Sequence, residues 1–329
     1  MKKTIKRALG FIFANIFALT VSAQYATDFR VTEVADDELA FNIDTAISGL
    51  LTAFNNAQGT GDVPHFSGID VTDKVRNDIM KLWADCPFRC RETRIAERAI
   101  KTPRGEFQVR NIPLVMMPIE GESKDPSWKK YQEAVFTLDK NGMITDFHLA
   151  LNANLYVQVM NAARTVEDVE KRMLILEYVE RFRNAYNLKD MDFLRQVFSE
   201  DALIITGKVV KVAKSEINKN NMKGEKIVYS RQNKEQYLSK LAVVFKNNKR
   251  INVMFDEVEV AMHPVDVNYY GVTLKQSWNS DGYSDEGHLF LLWDFSNPDM
   301  PQIHVRTWQP EEWIKKTGEK VFSMEDFNF

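Results

Sequence analysis

Cysteine is scarce in this chain of 329 residues, which has only Cys86 and Cys90, both in the segment CPFRC. Two cysteines cannot form the disulfide framework that holds many small exported domains together, so we expect each domain to depend on an apolar core. Their spacing matches neither the redox C-x-x-C motif nor a zinc site, which needs further ligands nearby. On an extended strand the two residues would lie about 13 Å apart, beyond disulfide reach. Two partly buried free thiols and one local disulfide are therefore both open predictions.

Recognisable catalytic and metal-binding motifs are missing as well. The 5 histidines are scattered along the chain, with no H-x-H or H-x-x-x-H pair. Metal sites commonly use ligands at such short spacings. The sequence also has neither a glycine-rich phosphate loop nor a G-x-S-x-G elbow. We therefore expect no metal site and no cofactor, and no motif assigns a reaction.

Long apolar runs are confined to the N terminus. Residues 8–21 form one such run, and the small residues Ser22 and Ala23 follow it. It is preceded by a positive segment that contains Lys2, Lys3, Lys6 and Arg7. This three-part pattern is typical of a secretory signal peptide, and the run is too short to span a bilayer comfortably. We predict that residues 1–23 are removed between Ala23 and Gln24, with an uncleaved membrane anchor as the alternative. The mature protein is then expected to be soluble, without a membrane span, in the periplasm or outside the cell.

An excess of positive charge is also lacking. The whole chain has 43 basic and 46 acidic side chains, for a net charge of −3. Removal of the signal peptide takes away four basic residues and leaves 39 against 46, so the mature charge is −7. Nucleic-acid-binding domains carry a net basic surface. We therefore expect no nucleic-acid partner.

Helical and strand patterns are segregated within each half of the chain. In the first half, an apolar helical stripe is predicted at Phe41, Ile43, Ile47, Leu50, Leu51 and Phe54. Strands follow it, and two of them meet at Asn141-Gly142, a strong hairpin signal. In the second half, Thr165 is a plausible helix cap, and apolar residues then recur at helical spacing for about six turns. Asp190, and Asn233 with Gln236, are predicted to start two further helices. Helices followed by antiparallel strands indicate an α+β fold. We predict domains at residues 24–160 and 161–329, joined through a short helix near residues 155–162.

Residues 180–207, ERFRNAYNLKDMDFLRQVFSEDALIITG, carry a family resemblance. The resemblance rests on Tyr186 near the end of a long helix, and on Asp190 and Asp192 at the start of the next helix. It also rests on the spacing of Leu194 and Phe198 in that second helix, after which residues 199–202 lead into a strand. They resemble the nuclear-transport-factor-2-like superfamily, especially its SnoaL-like and ketosteroid-isomerase-like branches. The resemblance covers residues 165–310 and implies a cone-shaped domain, with helices packed on a curved antiparallel sheet. Residues 36–152 show the same order of elements and are predicted to be a diverged copy; an unrelated α+β domain is the alternative. The expected fold is α+β with two cone-shaped domains.

The resemblance implies a pocket between the helices and the concave face of the sheet. Isomerases of the family place there an Asp base and a Tyr or protonated Asp donor. Those catalytic positions cannot be matched residue by residue in this chain. The polar candidates come instead from the last strands, where alternation places His288 and Asp294 on one face of the segment GHLFLLWDF. Asp201, in contrast, is expected to end a helix and turn the chain.

Alternation also predicts that His304, Arg306 and Trp308 share one face of the segment QIHVRTWQ, opposite Ile303 and Val305. Arg offers a planar fork of donors and Trp a flat aromatic surface, which suit an anionic or aromatic ligand. We therefore take this trio, with His288 and Asp294, as candidate ligand-binding residues. The alternative is a half-solvated sheet face, or a contact between domains or in a dimer.

These observations favour an exported binding or adaptor protein of the bacterial envelope. Its expected partner is a small apolar or anionic ligand or an envelope protein. The rival function is that of an isomerase or dehydratase that uses a carboxylate or histidine in the pocket of the second domain. A homodimer through the sheet face is a third alternative. The lysine-rich residues 208–226 are predicted to be a solvated insertion between a strand and a helix; an anionic envelope polymer or a protein partner that binds there is the alternative.

Overall fold

The computed structural model describes residues 25–102, 104–117, 131–151, 153–163, 165–211 and 225–327. They form two compact units that divide between Ala150 and Leu151. The predicted signal peptide, with its cleavage site at Ala23 and Gln24, lies outside these residues. Within the described ranges, no helix has both the length and the apolar composition needed to cross a membrane.

The first unit packs two helices against a six-stranded sheet. The helices are α1 (Asp37–Thr60) and α2 (Asp73–Asp85). The strands are β1 (Asp28–Thr32), β2 (Phe88–Arg89), β3 (Arg94–Lys101), β4 (Phe107–Met116), β5 (Tyr131–Leu138) and β6 (Ile144–Leu149). Their order is β1-β3-β4-β5-β6, with β2 paired to β4. Strand β1 runs parallel to β3, and the other pairs are antiparallel.

Local sequence explains where α1 begins and ends. The Asp36 side chain accepts hydrogen bonds from two backbone N–H groups of the first turn, and Gly61 ends the helix at a φ of 72°, which favours glycine. The predicted apolar stripe is buried at Ile43, Ile47, Leu50, Leu51 and Phe54. Its expected first member, Phe41, is 66% exposed and does not belong to the core.

The second unit has five helices and a longer six-stranded sheet in the described residues. The helices are α3 (Ala153–Asn161), α4 (Val166–Asn187), α5 (Met191–Val197), α6 (Lys234–Asn247) and α7 (Glu311–Thr317). The strands are β7 (Phe198–Lys211), β8 (Glu225–Gln232), β9 (Ile251–Met262), β10 (Tyr269–Ser280), β11 (Tyr283–Asp294) and β12 (Gln302–Pro310). Their order is β8-β7-β12-β11-β10-β9, with β7 parallel to β12.

The predicted helix starts and the predicted hairpin are confirmed. Thr165 accepts from the backbone of α4, Asp190 does so for α5, and Asn233 forms a capping box with Gln236 at α6. Gly142, at a φ of 90°, lies in the turn that joins β5 to β6. The helix expected near residues 155–162 is α3. Because Val159 of α3 belongs to the core of the second unit, the units divide earlier than the boundary predicted at residue 160.

Both units combine helices with a mostly antiparallel sheet, which confirms the α+β class. Their strand orders nevertheless differ. In the first unit the N-terminal strand β1 pairs with β3, at the start of the antiparallel series. In the second unit β7 pairs with β12, the last strand of the series. The two sheets are therefore alike in class and different in strand order.

Part of the lysine-rich segment is strand. Lys208 and Lys211 lie on β7 and Lys226 on β8, which pair antiparallel, whereas residues 212–224 lie outside the described ranges. The prediction of a solvated insertion over 208–226 is therefore wrong at both ends. Asp201 also lies within β7, so it does not turn the chain as predicted. The lysine-rich sequence concealed these strands, because β8 lies at the edge of the sheet and has one half-buried and one exposed side.

Strand β12 contains an irregularity that changes its alternation. On β11, Leu292 pairs with Val305 and Trp293 with Ile303, so His304 is the extra residue of a β-bulge. As a result, Ile303 packs into the main core, whereas Val305 packs with Leu292 on the opposite face. We call the face of the main core the inner face and the other the outer face.

Candidate functional site

The bulge separates the predicted trio. Arg306 and Trp308 lie on the inner face of the sheet, where Trp308 belongs to the main core. His304 lies on the outer face, between Asp201 and Asp294. The prediction that all three share one face is therefore wrong, because strict alternation cannot foresee an inserted residue. His288 and Asp294 do share a face, but it is the outer one.

Arg306 is held against two tyrosines from different helices. It is only 6% exposed, and its guanidinium carbon lies 5.0 Å from the ring centre of Tyr237 on α6. The hydroxyl of Tyr237 is 2.7 Å from that of Tyr186 on α4. Burial, followed by the neighbouring Tyr237, raises the pKa of Tyr186 well above its ordinary value, so this phenol stays protonated. The site thus joins a buried cation to a hydrogen-bonded tyrosine pair.

Several buried polar atoms of side chains on the inner face have no hydrogen-bond partner among the described residues. They are Arg306 Nε, Trp308 Nε1, Trp293 Nε1 and Asp285 Oδ1. Buried polar atoms are nearly always hydrogen-bonded, and each exception needs an explanation. Three of these atoms belong to N–H donors and one to a carboxylate acceptor. The inner face therefore offers unused hydrogen-bonding groups of both kinds.

Asp285 is the residue that sequence analysis missed. It lies on β11, and the alternation of Leu289, Leu291 and Trp293 on the inner face extends to it. Burial raises its pKa, against the hydrogen bond that Tyr283 donates at 2.6 Å and the charge of Arg306. Counting back in steps of two from the buried end of β11 would have found it. The polar hairpin around it, residues 279–286, concealed this signal.

Gly287 makes room for the Trp308 indole. A Cβ atom at Gly287 would lie 2.7 and 2.8 Å from two carbon atoms of that ring, which is closer than real Cβ atoms come, and it would also clash with the backbone oxygen of Gln309 on β12. The residue also precedes the buried Leu289 on the same face. Glycine therefore allows Trp308 to lie flat across β11, next to the position that Asp285 occupies two residues earlier.

On the outer face, His304 is an ion-pairing residue. Its Nδ1 atom is 3.4 Å from Asp201 Oδ1, and its Nε2 atom is 3.5 Å from Asp294 Oδ2. The Ser199 hydroxyl and, less strongly, His304 lower the pKa of Asp201. For Asp294, burial would raise the pKa, but hydrogen bonds from Ser296 and the charge of His304 outweigh it and lower the pKa.

His288 has a structural partner on the last helix. Its Nε2 atom lies 2.5 Å from Glu311 Oε2, and Lys275 and Lys315 approach Glu311 Oε1 at 3.2 and 2.7 Å. Burial would raise the pKa of Glu311, but the two lysines and His288 outweigh it and lower the pKa to about 2. His288 thus helps to hold α7 on the sheet.

The C-terminal residues cover the apolar part of the outer face. Side chains of Phe322, Met324 and Phe327 pack against a cluster formed by Phe290, Leu292 and Val305. The rings of Phe290 and Phe327 are stacked, with centres 5.6 Å apart. Among the described residues, no group of three His, Cys, Asp or Glu side chains could hold a metal ion. The apolar part of the outer face is therefore covered by the chain's own C-terminal residues.

Comparison with known proteins gives similarity of structure only. No protein-family model matches the chain, and neither does any curated protein sequence. Among solved structures, naphthalene 1,2-dioxygenase matches with 10% identity and a TM-score of 0.32, over 49% of this chain and 88% of that chain. A putative scytalone dehydratase from Novosphingobium aromaticivorans matches with 8% identity and a TM-score of 0.32, over 48% and 89%.

A third match is the beta subunit of a putative aromatic-ring-hydroxylating dioxygenase from the same organism. It has 12% identity and a TM-score of 0.31, and the alignment covers 42% of this chain and 87% of that chain. Each of these three matches spans about half of the present chain. At this level of similarity, the activities of these proteins carry no argument about the present one.

Proposed function

We propose that the second unit binds a small molecule at the inner-face site formed by Arg306, Asp285 and Trp308. The observation that carries this proposal is the buried guanidinium of Arg306, whose Nε atom has no partner in the described structure. A buried donor without a hydrogen-bond partner lowers the stability of a fold, so such a group suits a site that a ligand completes. Arg306 and Asp285 are close enough to affect each other's pKa, yet no ion pair joins them in the described residues. A ligand between them would satisfy both.

The groups of the site define the chemistry of the ligand. Arg306 and the indole N–H of Trp308 can donate to an oxyanion, and Asp285 can accept from a hydroxyl or amine. The rings of Tyr237 and Trp308 provide aromatic walls for an apolar or planar body. The surrounding core is filled by large aromatic side chains, among them Phe182 and Trp293. This filled interior favours binding without catalysis.

A rival proposal is an isomerase or dehydratase type of enzyme. It is favoured by Asp285, whose raised pKa brings this carboxyl closer to the range that suits a general acid or base. The two proposals differ in what Asp285→Asn should do. In a binding protein the amide keeps a hydrogen-bonding oxygen, so affinity falls modestly. In an enzyme, turnover of the bound molecule is lost while binding persists.

The experiment for the main proposal is purification under native conditions, followed by native mass spectrometry. We expect the wild-type protein to retain a small molecule that is lost from Arg306→Gln, with both proteins folded. The matched control is Arg231→Gln, which removes an arginine from the exposed strand β8 and should keep the molecule. Retention of the same molecule by Arg306→Gln would contradict the proposal, as would a wild type that neither retains a molecule nor responds to small carboxylates in thermal unfolding.

Export to the periplasm or the medium is part of the same proposal. It is supported by the charge, apolar run and small residues of the first 23 positions. We expect the intact mass of the natively expressed protein to correspond to a chain that begins at Gln24. A mass that includes residues 1–23 would contradict cleavage.

A further inference from the structure

The first unit contains a cavity that has no part in the function proposed for the second unit. It has a volume of about 220 Å³ and is lined by residues on three segments: Tyr25, Ala26, Asn55 and Arg89 to Thr93. A water molecule takes up about 30 Å³ in the liquid, so the space suits a few waters or one small organic molecule. The cavity lies where the start of β1, helix α1 and the segment after β2 meet.

Asn55 of α1 fixes the walls of this cavity. It is buried, and its Nδ2 atom donates to the carbonyl of Tyr25 and to Thr27 Oγ1, both at 3.0 Å. Its Oδ1 atom accepts from the backbone N–H of Cys90 at 2.9 Å. Thr27 Oγ1 in turn donates to the carbonyl of Glu92 at 2.9 Å. A pocket whose walls are tied together in this way is pre-formed, which lowers the entropy cost of binding.

The charges in the wall are the decisive feature. Arg89 and Arg91 both line the cavity, and within the described structure neither forms an ion pair. The Nε atom of Arg89 is buried without a hydrogen-bond partner. Glu92 contributes one negative charge to the same wall, so two guanidinium groups outnumber one carboxylate. Two adjacent arginines with free donors match the oxygens of a carboxylate or phosphate.

We propose that this cavity is an anion-binding site for a small carboxylate or phosphate compound, held by Arg89 and Arg91. The ring of Tyr25 forms one side, and it lies so close to Gly59 that a Cβ there would come within 2.8 Å of the ring. This packing leaves the ring in place as a flat wall beside the arginines. A planar carboxylate would pair with the guanidinium groups and lie against Tyr25. The proposal is independent of the site around Arg306.

The test is calorimetric titration of the purified protein with inorganic phosphate, citrate and benzoate, and with benzamide as the neutral counterpart of benzoate. We expect saturable binding of at least one of the three anions, weakened by added salt, and no binding of benzamide. Arg89→Gln and Arg91→Gln should each weaken that binding about tenfold or more. Glu92→Gln should strengthen it, because it removes the one negative charge from the wall.

Controls separate this site from other effects of charge. Arg98→Gln removes an exposed arginine of β3 that lies outside the cavity, and it should leave anion affinity at the cavity unchanged. Every variant is also titrated in combination with Arg306→Gln, so that anion binding at the site proposed in the second unit does not enter the comparison. Thermal unfolding verifies that each variant is folded. If Arg89→Gln does not fold, Arg91→Gln still tests the proposal, because Arg91 is exposed. The proposal is overturned if the wild type binds none of the anions, if binding survives both arginine substitutions, or if Glu92→Gln weakens it.

Discussion

The guanidinium carbon of Arg306 lies 5.0 Å from the ring centre of Tyr237, so a strand and a helix meet through a cation and an aromatic face. Such a contact contributes about 2 kcal/mol when it is desolvated. It does not replace a counter-ion, because the nearby Asp285 forms no ion pair with Arg306 in the described structure. Burial would lower the pKa of Arg306, but Tyr237, Tyr186 and Asp285 outweigh it and raise the pKa, so the neighbours favour the charged form without a contact ion pair. The Nε donor remains without a partner in the described structure, and this unused donor is the physical basis of the proposed ligand site.

This relationship predicts opposite results for two substitutions of Arg306. Arg306→Met keeps the volume and removes the unpaired charge, so the free energy of unfolding should be unchanged or rise by about 1 kcal/mol. Arg306→Ala leaves a cavity and removes the contact with Tyr237, so the free energy of unfolding should fall by about 1–3 kcal/mol. Chemical denaturation measures both. A marked loss of stability in Arg306→Met would mean that the charge is satisfied within the protein, and the ligand proposal would lose its main support.

Gly287 should be intolerant of a side chain. Its Cβ would clash with the backbone oxygen of Gln309 and meet the Trp308 ring at 2.7 Å, so Gly287→Ala must bend β11 away from β12 or displace the indole. Overpacking of this kind costs about 1–3 kcal/mol. The contrast is Gly49→Ala in the interior of α1, where the new Cβ would come 3.3 Å from Cγ1 of Ile69. That substitution should be neutral or stabilising by up to about 1 kcal/mol, because alanine favours helix. Equal effects of the two substitutions on the melting temperature would show that Trp308 is not held as described.

Glu311 should make the second unit sensitive to acid. Its pKa is lowered from 4.5 to about 2, so the stability it provides is present above pH 4.5 and is lost as the pH falls towards 2. Glu311→Gln should therefore reduce the free energy of unfolding by about 2 kcal/mol near neutral pH, and this difference should shrink in acid. Glu312→Gln, at the next and exposed position, should change stability by less than about 0.5 kcal/mol at any pH. A pH-independent difference between wild type and Glu311→Gln would contradict the ion-pair network.

Much of the fold follows from local signals that tertiary contacts do not override. The caps at Thr165 and Asn233 and the turn at Gly142 depend on a few neighbouring residues, and all three lie where the sequence predicts. The strand β8 does not follow in this way. The strand lies at the edge of the sheet, and its apolar residues Ile227, Val228 and Tyr229 are consecutive, so no apolar alternation marks it in the sequence.

The candidate site was predictable only in part, because side-chain direction along β12 depends on a bulge. Arg306 and Trp308 lie on the inner face, but His304 is turned to the other side by an irregular pairing between three strands. A bulge is set by the strands on both sides and leaves no signature in one segment. Asp285 is different, since the period of two on β11 does extend to it.

The two cysteines should both be free and should differ in reactivity. Cys90 is buried, and burial raises the pKa of its thiol, whereas Cys86 is half-buried. Because the thiolate is the reactive form, native alkylation should modify Cys86 well before Cys90. Unfolding without a reductant should then give two alkylated cysteines by intact mass. A mass lower by two hydrogens with no alkylation would reveal a disulfide instead.

The final prediction concerns where the second unit begins. Leu151 and Val159 lie before α4, yet both belong to the core of this unit, and Arg172 of α4 donates to the carbonyl of Val159 at 3.2 Å. A fragment of residues 151–329 should therefore unfold cooperatively, as single domains of this size usually do. A fragment of residues 163–329 lacks these apolar side chains and should be less stable by about 2 kcal/mol or more, because each buried aliphatic side chain contributes about 1.5–3 kcal/mol. Urea denaturation followed by circular dichroism compares the two fragments directly. Equal midpoints would show that α3 is dispensable, and a fragment 151–329 that stays unfolded would mean that the second unit needs the first in order to fold.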